Sequence, residues 1–210
     1  MSRRFSVRPV SASGFALLVS AAVLTPLAAQ ETSRAPLTIA GTRVEIAGTS
    51  NVHAYTASTR VVRLTRVQVA GSVAGESFWD DIVKPGRLAA FEIAIPAESL
   101  SSEKDGLDKN MHKALKVQEH ADITFRLVRF EAGTNGAMNA IGLLKIAGVE
   151  REVTLALKTE RTDAGLAVKG EVQLLMTDFG ITPPKAMLGM LKTDPKVTVT
   201  VETVVGVPLT

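Results

Sequence analysis

The sequence predicts an all-β protein: a single extended antiparallel barrel of about eight strands with a short helix near one mouth. Three observations predict it. Apolar and polar residues alternate in many runs, with the two-residue period of strands that bury one face. Residues typical of tight turns separate these runs, and helical periodicity is nearly absent. Such a sheet exposes two edges unless it closes, and a closed eight-stranded barrel has room inside for side chains or one small ligand.

The first part of the predicted barrel contains three strands and the helix. The strands cover residues 42–47, a long run at 55–70, and 88–95 just before Pro96. Residues 103–118 break the alternation, because Leu107, Met111 and Leu115 lie four residues apart and form one helical stripe. We expect this helix to cap a barrel mouth.

The second part of the chain gives the clearest strands. Their apolar positions are Ile123, Phe125 and Leu127; Val153, Leu155 and Leu157; Leu166, Val168, Val172, Leu174 and Met176; and Val197, Val199 and Val201. Asn135-Gly136, Gly148 and Asp163-Ala164-Gly165 provide turn residues between them. Residues 182–191 contain two prolines, which exclude a central strand. Because this stretch is also apolar, we expect it to fold onto the core or a ligand entrance.

The first 29 residues predict a cleaved secretory signal, which leaves 30–210 as one barrel domain. Arg3, Arg4 and Arg8 precede an apolar stretch at 15–24, and small residues follow up to Ala29. The apolar stretch is shorter than the ~20 residues that a membrane span requires. We therefore expect a periplasmic protein that is not an integral membrane protein, with both the Sec and twin-arginine export routes open.

Composition argues against nucleic-acid binding and against cysteine chemistry. Beyond the basic start, 21 basic residues balance 21 acidic ones, and the chain has one Trp, one Tyr and 7 Phe. Such a chain has neither the positive field nor the stacking surface of a nucleic-acid-binding protein. It has no Cys, so it forms no disulfide and offers no thiolate ligand.

Candidate catalytic and metal-binding residues are few. His53, His112 and His120 come from separate elements, so their spacing predicts no metal site; we expect His53 to be partly buried and hydrogen-bonded, and the other two to lie on the surface. Asp80 and Asp81 are adjacent and would point apart on an extended chain, which favours a solvated loop. No nucleophile elbow and no phosphate-binding glycine loop occurs. The residues predict no enzyme and no cofactor.

Four stretches, in order along the chain, carry a resemblance to a known family. They are residues 48–53 (GTSNVH); 111–116 (MHKALK) with 120–125 (HADITF); 142–155 (GLLKIAGVEREVTL); and 177–181 (TDFGI) with Pro183-Pro184 and the closing VTVTV. In these stretches the chain resembles the secreted YceI-like polyisoprenoid-binding proteins. The resemblance implies a lipocalin-like barrel whose lumen holds a long isoprenoid or similar amphiphile in the bacterial periplasm.

The expected function is non-enzymatic binding, sequestration or transport of one apolar chain. We expect lumen contacts from Phe125, Leu127, Leu155, Leu157, Leu174, Met176, Phe179 and Met187. His53 and Asp178 are candidates for a polar head contact, while Gly48 and Gly180 are expected to serve the backbone at a bend or bulge. Two alternatives stay open: a filled barrel acting as a structural or stress-related protein-interaction module, and a lipid hydrolase or isomerase with His53 as base. The sequence also leaves open whether two copies form a homodimer.

Overall fold

The computed structural model describes residues 36–71, 77–134, 137–186 and 190–208, which belong to one compact unit. The signal predicted at residues 1–29, the Asn135-Gly136 pair and Met187 lie outside the described residues. No helix in the described part of the chain is long and apolar enough to cross a membrane.

Strands dominate the described chain. They are β1 (Thr38–Ser50), β2 (Ala54–Thr59), β3 (Arg63–Val69), β4 (Leu88–Pro96), β5 (Asp122–Ala132), β6 (Met138–Ile146), β7 (Val149–Thr162), β8 (Gly165–Leu175), β9 (Lys185–Ala186) and β10 (Leu191–Gly206). The described residues also include two α-helices, α1 (Phe78–Asp81) and α2 (Asp105–Ala114), and 3₁₀ turns at Ala97–Ser99 and Met176–Phe179. Met176, expected at the end of a strand, begins the second of these turns.

The sheet is antiparallel and curls into a barrel, which confirms the predicted fold class. Its strand order is β2-β1-β10-β8-β7-β6-β5-β4-β3, with the two-residue β9 paired to β10 beside this path. The two edge strands, β2 and β3, are consecutive in the chain, so the short segment between them connects the two edges of the sheet. After β4, Ser101 exchanges two backbone hydrogen bonds with Ser58 of β2, at 2.8 and 3.1 Å, which joins the two sides at one end.

The long run at 55–70 forms two strands rather than the expected one. The hydroxyl of Thr59 accepts a hydrogen bond from the backbone N–H of Val61 at 3.0 Å and pairs with the hydroxyl of Ser99 at 2.8 Å. These bonds turn the chain after Thr59, which is itself buried. The break places β2 and β3 at opposite edges of the sheet, and the strand count therefore exceeds eight.

The register places the apolar side chains of adjacent strands together on the inner face. Val172 pairs with Val199, and Val199 pairs with Ile46, so three strands contribute one row. The β6–β7 turn predicted at Gly148 is present, with positive φ at Ala147 (48°) and Gly148 (85°). Such a two-residue turn follows the right-handed twist of the strands that it joins.

The two α-helices pack at different ends of the barrel interior. In α2, the predicted stripe is confirmed: Leu107, Met111 and Leu115 face the interior, and Leu115 is buried. At the other end, Phe78 and Ile82 are buried with Leu37 in a separate apolar cluster. Asp80 and Asp81 belong to α1 and not to the expected loop, because burial of Phe78 holds this segment against the barrel. A hydrogen bond from Lys84 lowers the pKa of the Asp81 carboxyl.

Candidate ligand-binding cavity

A cavity of about 500 Å³ opens beside α2, and we call it the mouth cavity. Its apolar wall comes from the inner face of the sheet, from the helix stripe and from the turn after β8. Its polar rim comes from the β1–β2 loop, the start of α2 and the start of β10. The rim residues include Ser50, His53, Tyr55, Ser102, Glu103, Lys104, Asn110 and Thr193.

A second cavity of about 220 Å³ lies between the strands of the barrel, and we call it the inner cavity. All strands of the continuous sheet except β2 and β3 line it, together with Trp79, Ile82 and Val83 at the α1 end. No charged side chain of the described residues lines this cavity. Both cavities share five wall residues, so they adjoin: Ile46, Ile123, Ile146, Leu174 and Val199.

Seven of the eight predicted lumen residues lie in the described part of the chain, and all seven line a cavity. Phe125, Leu127, Leu155 and Leu157 line the inner cavity, Leu174 lines both, and Met176 and Phe179 line the mouth cavity. Space for Phe125 comes from Gly142 on the neighbouring strand, where a Cβ would overlap the phenyl ring. The geometry places these side chains where a ligand would lie, and contact with a ligand stays a prediction.

The three histidines depart from their expected environments. His53 is exposed at the rim of the mouth cavity, and its backbone N–H donates to the Ser50 hydroxyl at 3.1 Å, whereas partial burial was expected. His112 is half-buried, and its Nε2 lies 2.8 Å from the carbonyl oxygen of Leu100. His120 is also half-buried, with its ring against Gly148. The latter two were expected to be surface residues, but each is half-buried, His112 against Leu100 and His120 against Gly148.

Asp178 lies away from the cavity surface. It is exposed on the 3₁₀ turn after β8 and is not among the described residues that line either cavity. The bend there depends on Gly180, whose φ of 66° is left-handed and whose N–H donates to the Thr177 carbonyl at 3.1 Å. The expectation of a backbone role for Gly180 is therefore confirmed. Gly48 sits beside an irregularity in β1–β10 pairing, also as expected.

Tyr55 is the rim residue that sequence reasoning missed. It pairs across the strands with Gly48, where a Cβ would overlap the phenol, so the ring lies over the glycine. Burial raises the pKa of the Tyr55 hydroxyl, and the negative charge of Asp194 raises it further. The two-residue spacing of Tyr55, Ala57 and Thr59 was the available signal, since Ala57 and Thr59 are buried on the same face.

The described lining of the two cavities is mainly apolar, and its polar groups lie at the mouth. In the described ranges, no three His, Cys, Asp or Glu side chains group closely enough to hold one metal ion. Ion pairs such as Lys169–Glu202, at 2.7 Å, lie on exposed side chains outside the barrel. An apolar interior with a polar rim suits a molecule that has a long hydrocarbon part and a small polar end.

Comparison with known proteins gives one family and several similar structures. The family model that describes a YceI-like domain matches residues 42–205, well over half of the chain. No curated protein matches the sequence.

The similar solved structures share the fold at low sequence identity. Burkholderia cenocepacia BcnA is 12% identical, with a TM-score of 0.60 over 79% of this chain and 96% of that chain. A polyisoprenoid binding domain from Saccharophagus degradans, implicated in plant cell wall breakdown, is 12% identical, with a TM-score of 0.59 over 83% of this chain and 100% of that chain. The Campylobacter jejuni YCEI protein is 14% identical, with a TM-score of 0.53 over 73% and 85% of the two chains.

Proposed function

The chain belongs to the YceI-like domain family, and from this membership and the two adjoining cavities we propose that it binds one long apolar ligand in the barrel lumen. The ligand class is a polyisoprenoid or a similar lipid. The observation that carries the proposal is an apolar interior, free of charged side chains in its described inner part, that continues into a mouth with a polar rim. The Saccharophagus degradans domain, with the same fold, is itself a polyisoprenoid binding domain.

Hydrocarbon burial alone supplies enough free energy for such binding. At about 0.8 kcal/mol per methylene, a chain of about twenty carbons gains about 16 kcal/mol when it leaves water. Association costs about 4 to 15 kcal/mol, so only a long chain binds without strong polar contacts. Affinity should therefore rise steeply with chain length.

The role that follows is sequestration or transport without catalysis, in the periplasm. The signal predicted at residues 1–29 and the periplasmic setting typical of YceI-like proteins support that location. The lack of charged groups among the described residues of the inner cavity supports a binding role over a catalytic one. The mouth cavity, at about 500 Å³, exceeds the ~300 Å³ lower bound of ligand pockets, which argues against the filled-barrel alternative.

Native mass spectrometry of the full chain, expressed with export and purified without detergent, tests the proposal. We expect a bound lipid, or a mass increase of one ligand after addition of the isoprenoid alcohol phytol. Citronellol, a shorter alcohol of the same class, serves as the matched control and should bind far more weakly. A protein that emerges without lipid and binds neither alcohol would contradict the proposed function.

A further inference from the structure

Two aliphatic side chains beside the mouth cavity are largely open to solvent. Met190 is 69% exposed and Val52 is 66% exposed, the highest fractions among the large apolar residues of the described chain. Neither residue lines the mouth cavity, so ligand binding in the lumen does not account for them. Single exposed apolar side chains are common, whereas neighbouring ones mark a contact surface.

Asn51 joins the two loops that carry these side chains. Its side-chain N–H donates to the Met190 carbonyl at 2.9 Å, and its side-chain oxygen accepts from the Lys192 N–H at 2.8 Å. Its backbone N–H donates to the Lys192 carbonyl at 3.1 Å. Because Val52 follows Asn51 in the chain, the two exposed side chains belong to loops that are bonded to each other. We call Val52, Met190 and Lys192 the rim patch.

The segments that carry the rim patch are basic. Residues 46–60 and 179–193 contain Arg60, Lys185 and Lys192 but no Asp or Glu. Lys192 is exposed, and its backbone pairs with that of Lys185 where β9 meets β10. The patch therefore combines exposed hydrocarbon with positive charge.

The α2 side of the mouth has a different charge. Three acids surround the start of the helix, at Glu103, Asp105 and Asp108, and only Lys104 lies among them. An anionic surface would attract the rim patch and repel this side. The mouth is therefore asymmetric, and its basic side lies at the loops joined by Asn51.

A lipid bilayer with anionic headgroups fits both properties of the rim patch. Aliphatic side chains enter the boundary between headgroups and acyl chains, while the long lysine side chain keeps its ammonium group among the phosphates. A stable protein interface buries about 800 Å² on each partner, which two side chains projecting from loops do not supply. The size of the patch thus favours a bilayer over a protein partner or a second copy.

We infer that the rim patch docks the mouth of the barrel on an anionic lipid bilayer. Docking there allows a hydrocarbon ligand to pass between bilayer and cavity without crossing water. This transfer rests on the proposed function, whereas the membrane contact itself is measurable without a ligand.

Flotation of the exported protein with unilamellar vesicles tests the contact. Wild type should float with vesicles of equal parts phosphatidylcholine and phosphatidylglycerol, and much less with phosphatidylcholine alone. Val52→Asp combined with Met190→Asp should lower the partition coefficient at least about tenfold, and Lys192→Gln should lower it about fivefold. Two controls should leave it nearly unchanged: Val128→Asp, at a 47% exposed valine on β5, and Lys158→Gln, at an exposed lysine on β7.

A fluorescent label gives a positive signal that does not depend on loss of binding. Because the chain has no cysteine, one introduced cysteine accepts a single nitrobenzoxadiazole label. On Met190→Cys the emission should shift to the blue and brighten with the anionic vesicles. On Val128→Cys the same label should not respond.

The outcomes separate the docking inference from the proposed function. The inference is overturned if wild type floats with neither vesicle or equally with both, or if the double variant floats as well as wild type. It is also overturned if sedimentation shows a wild-type dimer that the double variant lacks while vesicles bind neither protein. The double variant should still bind phytol in native mass spectrometry, since Val52 and Met190 do not line the mouth cavity. A wild type that floats through the patch but binds no phytol would contradict the proposed function and leave the membrane contact standing.

Discussion

Val199 lies where the mouth and inner cavities meet, and Val199→Phe should divide the lumen. Its side chain is on the inner face of β10, between Val172 and Ile46 of the adjacent strands. Filling the inner cavity of about 220 Å³ with hydrocarbon, at about 24 cal/mol per Å³, contributes at most about 5 kcal/mol. A phenyl ring that excludes the chain end from this space should therefore weaken phytol binding by at most three to four orders of magnitude, or about 5 kcal/mol.

Isothermal titration calorimetry with phytol and citronellol measures this effect. Citronellol is short enough to stay in the mouth cavity, so we expect its affinity to change much less than that of phytol. The matched control is Thr198→Phe, which places the same ring one residue away on the outer face of β10. It should leave phytol binding unchanged.

Thermal unfolding of the empty Val199→Phe protein tests the premise that the lumen contains free space. A ring that enters a void adds contacts, so the melting temperature should hold or rise. In a filled barrel the same ring would overpack the core and cost about 1 to 3 kcal/mol. Lower stability together with unchanged phytol affinity would refute the reasoning and favour the filled-barrel alternative.

Three further predictions concern stability. Gly180→Ala should destabilise the fold by about 1 to 2 kcal/mol, because the φ of Gly180 is 66° and therefore left-handed. Gly106→Ala in α2 should stabilise the fold by up to about 1 kcal/mol, because a Cβ there would have nothing within 4 Å. Equal effects of the two variants on melting temperature would contradict both the left-handed bend at Gly180 and the helical position of Gly106. Phe78→Ala should destabilise the fold by about 3 to 5 kcal/mol, since Phe78 is 2% exposed. The same variant should alter the fluorescence of Trp79, whose ring centroid lies 4.9 Å from that of Phe78. An unchanged unfolding midpoint in urea would contradict the packing of α1 against the barrel. The hydrogen bond from Lys169 lowers the pKa of the Glu202 carboxyl below 4.5. The stabilising effect of this pair is therefore present above pH 4.5 and disappears as the pH falls through the folded-state pKa. In Lys169→Met, NMR titration should show the pKa of Glu202 moving back towards 4.5, and no movement would exclude the pair as the cause of the shift.

The strand pattern was predictable from the sequence because each strand buries one face. The alternation at Leu155 and Leu157, or at Val197 and Val199, indicates which face of each strand is buried. The four-residue spacing of apolar residues from Leu107 to Leu115 indicates the buried face of the helix. Five residues that line the cavities, Phe125, Leu127, Leu155, Leu157 and Leu174, follow from this alternation, since residues on the inner face of a barrel line its interior. Met176 and Phe179 lie in the 3₁₀ turn after β8, where alternation does not apply.

Features that depend on contacts across strands were not predictable from spacing. The break after Thr59 depends on the hydroxyl of Ser99, forty residues away in the chain. The burial of His112 depends on the carbonyl of Leu100, and the position of the Tyr55 ring depends on Gly48. Alternation indicates which face a side chain occupies, but it carries no information on which neighbour lies opposite.

The two ends of the lumen differ, and this difference determines how a ligand lies in it. Near α1, Leu37, Phe78 and Ile82 are buried in an apolar cluster, and Trp79 and Ile82 border the inner cavity. A polar head placed there would lose its water without gaining a partner, which costs several times the free energy of one buried methylene. At the α2 end the rim is polar. For the proposed lipid ligand, we therefore expect the hydrocarbon chain to point towards α1 and the head to stay beside α2.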